Sequence, residues 1–321
     1  MRTPLPRRSF LQAFVAGTGH LIAASSGFPR TAAPDPAPVR IIDTHTHFYD
    51  PARPGGVPWP PKTDSLLHRT VLPQHFRALP VPQKIDATVV VEASPLVEDN
   101  QWILDLAGDD PFIVGFVGNL PVGTAEFRGL LRRFARNPLF RGIRVRGVSL
   151  ANGLGQPGFV DDLKALAAAG LTLDIPSPPE AVAQVPRLVA AVPDLRVVVN
   201  HVANARIDGG APAAAWRDLI AAVAARPHVY MKVSGLVEGT RRTSGDAPGE
   251  VEFYRPTLDA LWSAFGPSRL IFGSNWPVSE RFAPLARVEG ILLDYVRPRG
   301  QEALDRIFWR NAAEAYRWVN R

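Results

Sequence analysis

Beyond residue 39 the chain alternates eight times between short apolar runs and helical patterns, and no other feature limits its fold so tightly. The runs lie at 40–47, 87–93, 112–119, 142–147, 171–175, 196–201, 229–234 and 269–274. Several are rich in Val, Ile and Leu with little polar alternation, the pattern of strands covered on both faces. Helical patterns at 100–107, 125–136, 159–169, 179–191, 213–225 and 256–265 separate them, and two more at 284–295 and 301–318 close the chain. Between the first two strands the chain is irregular and Pro-rich, with a short helix expected near 73–78. Eight strand–helix units predict an α/β fold, a single-domain (β/α)8 TIM barrel over 34–321. A doubly wound open sheet is the alternative, but no Gly-rich phosphate loop supports it.

The full chain has 321 residues and a formal charge of +6. That charge is concentrated at the start, where residues 1–33 carry Arg2, Arg7, Arg8 and Arg30 and no acid. Setting those four aside leaves 32 basic residues against 30 acidic ones, too even for a nucleic-acid surface. The pairs Arg132-Arg133 and Arg241-Arg242 read as solvated faces. Pro6-Arg7-Arg8-Ser9-Phe10-Leu11-Gln12, a mildly apolar stretch from Ala13 to Ala24, and Thr31-Ala32-Ala33 follow the layout of a twin-arginine export signal with a cleavage site. Residues 1–33 are therefore expected to be a signal peptide and the protein periplasmic. No apolar run is long enough for a membrane span. With no cysteine, disulfides, thiolate ligands and a cysteine nucleophile are excluded, and the lack fits an oxidising compartment.

In a TIM barrel the chemistry sits at the C-terminal ends of the strands. Alternate side chains of a strand share a face, so each run can be asked what it sends into that mouth. The first sends His45 and His47, from Asp43-Thr44-His45-Thr46-His47; the second, Glu92; the fourth, Arg144 and Arg146. The fifth adds Asp174, the sixth His201, the seventh Lys232 and Ser234, and the eighth Asn275. Titratable groups at so many strand ends point to a catalytic mouth.

Paired neutral imidazoles suit a divalent transition metal, and the candidate ligands are His45, His47, Glu92 and His201. Each also has a plainer reading, His201 as a hydrogen-bonded core histidine and Glu92 as the partner of Arg144 or Lys232. Arg144 and Arg146 would repel unless an anion lies between them, so they either hold a substrate carboxylate or pair with Glu92 or Asp174. Lys232 is a candidate substrate-binding donor or a structural group. Trp59, in the loop Gly55-Gly56-Val57-Pro58-Trp59-Pro60-Pro61, is placed to cap the mouth or to lie on an inert surface.

Five segments together resemble the amidohydrolase superfamily, in its amidohydrolase 2 group. They are Asp43-Thr44-His45-Thr46-His47, Val199-Asn200-His201-Val202, Tyr230-Met231-Lys232-Val233-Ser234-Gly235, Phe272-Gly273-Ser274-Asn275-Trp276-Pro277-Val278 and Asn311-Ala312-Ala313-Glu314-Ala315-Tyr316. That group includes sugar lactonases and pyrone-dicarboxylate lactonases, some metal-dependent and some not. The resemblance implies water attack on a lactone carbonyl, with His45 and His47 as the first-strand pair, His201 from the sixth strand and Asn275 at the eighth-strand position. Relatives usually carry aspartate at that last position, and an amide cannot accept the proton of an attacking water. Glu92 is the first candidate to replace it. The strand-four bridging residue of binuclear relatives is also replaced by arginine, which implies at most one metal ion, zinc or manganese, or none.

The expected function is lactone hydrolysis on a small anionic or polyhydroxylated substrate, with Glu92, His201 and Asn275 as catalytic candidates. Two alternatives stand beside it: a non-oxidative decarboxylase of a carboxylated aromatic, and a non-catalytic periplasmic binding protein.

Overall fold

The structure, a computed structural model, describes residues 38–145 and 150–321. The proposed signal at 1–33 and Arg146 lie outside the described residues.

Eight parallel strands run in sequence order around one sheet: β1 (Ile42–Thr46), β2 (Ala87–Val91), β3 (Ile113–Gly118), β4 (Phe140–Arg144), β5 (Thr172–Ile175), β6 (Arg196–Val199), β7 (Val229–Val233) and β8 (Leu270–Phe272). Helices lie between them, so the expected (β/α)8 barrel is the observed fold. β8 has only three residues, and the barrel closes onto β1 through a mixture of main-chain and side-chain bonds. Trp276 bridges Thr46 in parallel, the His47 N–H donates to the Trp276 carbonyl (2.9 Å), and the Thr44 hydroxyl donates to the Phe272 carbonyl. Asp43 adds a clasp: its Oδ1 accepts the N–H of Ser274 across the seam at 2.9 Å.

Several helices depart from the sequence pattern. The one expected over 179–191 splits into Pro179–Val182 and Val185–Ala191. The pattern starts a helix at Pro256, but the helix spans Val251–Phe265 with Pro256 inside it. The pattern also predicts one helix over 301–318; the chain instead forms α-helices Gln301–Asp305 and Asn311–Tyr316 around a π-helical turn, Arg306–Arg310. The last of these helices ties the bottom of the barrel together. Asn311 Nδ2 donates to the carbonyls of Pro267 and Leu270 (2.7 and 2.8 Å). Ala312, Ala315 and Tyr316 pack with the inward side chains Ile42, Val89, Val91, Val198 and Ile271. Among the described residues no helix is long and apolar enough to cross a membrane.

Candidate active site

The C-terminal end of the barrel has a lower polar layer and a rim. The lower layer is built on Asp174 of β5 and Lys232 of β7, both with no exposed surface. Lys232 Nζ donates to Asp174 Oδ2 (3.0 Å) and to the carbonyl of Thr44 (2.9 Å). Asn200 Nδ2 donates to the same carboxylate oxygen (2.9 Å), and the Tyr316 hydroxyl bridges both oxygens at 3.1 Å. Every polar group of Asp174 and Lys232 is thus used inside the protein. Of the two readings of Lys232, substrate donor or structural group, its burial and its two internal hydrogen bonds fit the structural one. A residue's place in the two-residue period gives its face but not its depth, and Lys232 lies two residues below the strand end at Ser234.

Above this layer three imidazoles meet. The His45 ring centroid lies 5.0 Å from that of His47 and 4.3 Å from that of His201. His45 is fully buried, and neither of its ring nitrogens has a hydrogen-bond partner among the described residues. Burial holds its pKa well below the ordinary value, helped by the neighbouring His201, Lys232, His47 and Arg144. His201 is pushed down in the same way, by burial first and then by Arg144, Lys232 and His47. Both rings are therefore neutral in the working pH range.

Local sequence explains how the rings come so close. A Cβ at Gly273 would stand 2.8 Å from the Cβ of His45, so only glycine lets β8 pass there. Gly235 is needed twice over: its φ is +73°, and a Cβ would stand 2.7 Å from that of His201. His201 begins a rare backbone feature, a run of four non-glycine residues in the left-handed region, with φ of 52°, 43°, 50° and 57° through Asn204. Such a conformation costs about 1–2 kcal/mol per residue and survives where the surroundings over-determine it. Here Ser234 Oγ accepts the His201 N–H (3.3 Å), the Trp216 indole donates to the Val202 carbonyl (3.1 Å), and Arg241 donates to Asn204 Oδ1 (2.7 Å). The strained turn swings His201 over His45.

The remaining candidates have distinct fates. His47 Nδ1 donates to the carbonyl of Val91 (2.9 Å), which turns its Nε2 toward Asn275 Oδ1 (3.3 Å). Asn275, at φ 61°, donates from Nδ2 to Glu238 Oε1 (2.8 Å). Glu92 is held by Arg144, whose Nε donates to its Oε1 (2.7 Å) and whose Nη2 donates to its carbonyl (2.9 Å). The internal ion pair is thus the arrangement observed for Arg144. Trp59 lies edge-on to His47 (5.9 Å) and to Tyr49 (5.3 Å), over the mouth rather than on an inert surface. Sequence reasoning missed Glu238 and read Arg241 as part of a solvated face; Arg241 is exposed and also borders the mouth. Both lie past the end of β7 and line a cavity of about 190 Å³ with His201 and Asn275. Glu238 is the lone acid in Ser234-Gly235-Leu236-Val237-Glu238, a signal visible only once the loop is known to face the mouth.

The donor set gives a divided answer on a metal ion. His45 offers buried ring nitrogens without a hydrogen-bond partner among the described residues, beside the neutral ring of His201, which is ligand chemistry. Glu92, engaged by Arg144, does not complete the set. Among the described residues no three His, Asp or Glu side chains converge closely enough to hold an ion as they stand.

Residues 42–318 match the family model described as amidohydrolase. The chain belongs to the amidohydrolase family. It is 31% identical to an L-fucono-1,5-lactonase of Burkholderia ambifaria over 289 residues, covering 86% of this chain and 95% of that protein. An L-fucono-1,5-lactonase of Burkholderia multivorans is 29% identical, with 85% of this chain and 94% of that protein covered. A crystal structure of a Burkholderia multivorans amidohydrolase with bound zinc superposes with a TM-score of 0.75 at 25% identity, covering 87% of this chain and 100% of that one. As an amidohydrolase the chain is a hydrolase.

Proposed function

We propose that this amidohydrolase opens a lactone by water attack in the barrel mouth, with sugar lactones of the L-fuconolactone kind as its substrate class. The observation that carries this reading is His45, a fully buried imidazole whose nitrogens have no hydrogen-bond partner among the described residues, set between two more imidazoles. An orphaned polar group of this kind is costly in a folded interior unless a ligand completes it. The near full-length relatives named L-fucono-1,5-lactonase support the same substrate class.

The chain's own residues supply most of what the reaction needs. Ser234 Oγ accepts the His201 backbone N–H and lies 2.9 Å from His201 Nδ1. The serine proton directed at Nδ1 leaves the imidazole proton on Nε2, where it can donate to a carbonyl oxygen as that oxygen gains charge. Trp59 shields the His47 side of the mouth from bulk water. Arg241 and Asn204 line the cavity and offer donors to the hydroxyl or carboxylate groups of a sugar acid. As they stand, His45, His47 and His201 do not form a complete site for zinc or manganese; were they to close around such an ion, it would supply Lewis-acid polarisation of the ester carbonyl in place of the His201 Nε2 proton.

The test is a panel of sugar and aromatic-derived lactones, with ring opening followed by a pH indicator, with and without added zinc or manganese. Opening of six-membered sugar lactones is expected. A folded protein that opens none of them contradicts the reading. The Arg7-Arg8 motif and the apolar stretch after it support export to the periplasm with residues 1–33 removed. Periplasmic protein shortened at its N-terminus is expected on cell fractionation, and full-length protein confined to the cytoplasm contradicts it.

A further inference from the structure

The carboxylates gathered around the mouth differ in what they have left to offer. Glu92 is ion-paired with Arg144 at 2.7 Å. Asp174 is surrounded by Lys232, Asn200 and Tyr316. Asp43 lies fully buried at the seam, its Oδ1 accepting the N–H groups of His45 and Ser274 at 2.9 Å each. Asp43 Oδ2 is buried without a hydrogen-bond partner among the described residues, as is one oxygen of Glu238, but of these four acids only Glu238 lines the cavity shared with His201 and Asn275. Glu238 sits in the short helix Leu236–Gly239 that follows β7. Its Oε1 accepts one hydrogen bond, from Asn275 Nδ2 at 2.8 Å, and its Oε2 is buried with no partner among the described residues. The cavity it lines, of about 190 Å³, is large enough for several waters and is shared with His201, the ring placed to polarise the carbonyl.

We propose that Glu238 is the general base of the lactone opening, taking a proton from the attacking water at Oε2. The inference rests on the lactonase reading and adds the residue that reading lacks. As the water oxygen bonds to the carbonyl carbon, its proton passes to Glu238 and the carbonyl π pair moves onto oxygen, facing His201. Collapse re-forms the carbonyl and breaks the ring C–O bond. The departing ring oxygen takes the proton back from Glu238, giving a hydroxy acid and restoring the carboxylate. Lactone plus water is fully accounted for, with no further reactant.

Two features suit Glu238 to this work. Burial pushes its carboxyl up to about 7, against the opposing hydrogen bond from Asn275 and the charge of Arg241. A base with a pKa near the working pH is the most effective kind. The ionisable groups around it are Arg241 beyond its own helix, His201 across the cavity, and Tyr254 of the helix Val251–Phe265. Asn275 is the second feature. An amide orients Glu238 through a donated hydrogen bond, whereas aspartate at 275 would set two carboxylates against each other.

The experiment compares pH–rate profiles of the full chain for wild type, Glu238→Gln and Glu238→Asp on a lactone that wild type opens, with thermal unfolding to confirm folding. Glu238→Gln is expected to lower kcat by about 10²–10⁴-fold, to leave KM within about threefold, and to abolish the acid-side inflection near pH 7. Glu238→Asp keeps a carboxylate one methylene short and is expected to retain the inflection at reduced kcat. Wild-type turnover with kcat of Glu238→Gln within about threefold, or with its inflection intact, overturns this inference alone. Loss of the inflection in Glu238→Asp overturns it too, and this arm decides the matter if the glutamine variant does not fold. A wild type that opens no lactone overturns the lactonase reading and this inference with it.

Discussion

Asp174 and Glu238 are both acids held within the C-terminal end of the same barrel, and their surroundings could hardly differ more. Around Asp174, an ammonium, an amide and a phenol supply four hydrogen bonds to two oxygens. Around Glu238, the Asn275 amide supplies one, and the second oxygen is buried without a partner among the described residues, in a residue that lines a cavity. The histidines divide likewise, His47 being anchored to a carbonyl while neither nitrogen of His45 has a hydrogen-bond partner among the described residues. The contrast teaches where to look for chemistry in a polar barrel end. A buried layer whose charged groups are fully paired, as Asp174 and Lys232 are, is support. A rim that leaves buried polar atoms unsatisfied has been shaped for something that arrives.

The comparison breaks most forcefully at Lys232. Lys232→Met leaves the Asp174 carboxylate buried without its cation, and removing one partner of a buried pair costs about 3–5 kcal/mol. Urea unfolding is expected to show that loss, with KM of the remaining folded enzyme little changed. A several-fold rise in KM with stability intact would move Lys232 back to the substrate.

Glu238→Gln is expected to change stability in the opposite direction. A carboxyl raised from 4.5 to about 7 binds more protons folded than unfolded between those values, so wild-type stability falls as pH rises through that window. The glutamine variant escapes that fall. Above pH 7 it is expected to exceed wild type by on the order of 1–3 kcal/mol in chemical denaturation, while losing turnover. Equal or lower stability at that pH would place Glu238 with the self-satisfied layer. The smallest effect is expected at Trp59, where the edge contacts with His47 and Tyr49 are worth about 0.5–1.5 kcal/mol each. Trp59→Ala is expected to raise KM by up to about tenfold with little loss of kcat, and unchanged kinetics would return the loop to an inert surface.

Much of the architecture was legible because parallel barrel strands are covered on both faces and read as unbroken apolar runs. The Asp43–His47 segment was legible from its alternation, although Asp43–Thr46 form the body of β1 rather than the end of an apolar strand. What stayed hidden was depth and loop geometry. Lys232 shares the face of Ser234 but sits below the rim, and alternation alone cannot separate the two levels. The Arg144–Glu92 pair was one of two readings, since either an anion or an acid satisfies a buried guanidinium. Glu238 lies past its strand in a short helix, where no strand period applies. The left-handed run from His201 to Asn204 has no sequence signature at all, because its hydrogen bonds come from Ser234, Trp216 and Arg241, all distant along the chain.

The most direct test of the account is the rate of sugar-lactone opening by His45→Ala beside wild type, both verified as folded. The account predicts that kcat/KM falls by about 10²–10³-fold or more in a protein that still folds, because the His45 ring nitrogens have no hydrogen-bond partner among the described residues to lose. Lactone opening at the wild-type rate by a folded His45→Ala protein would contradict it.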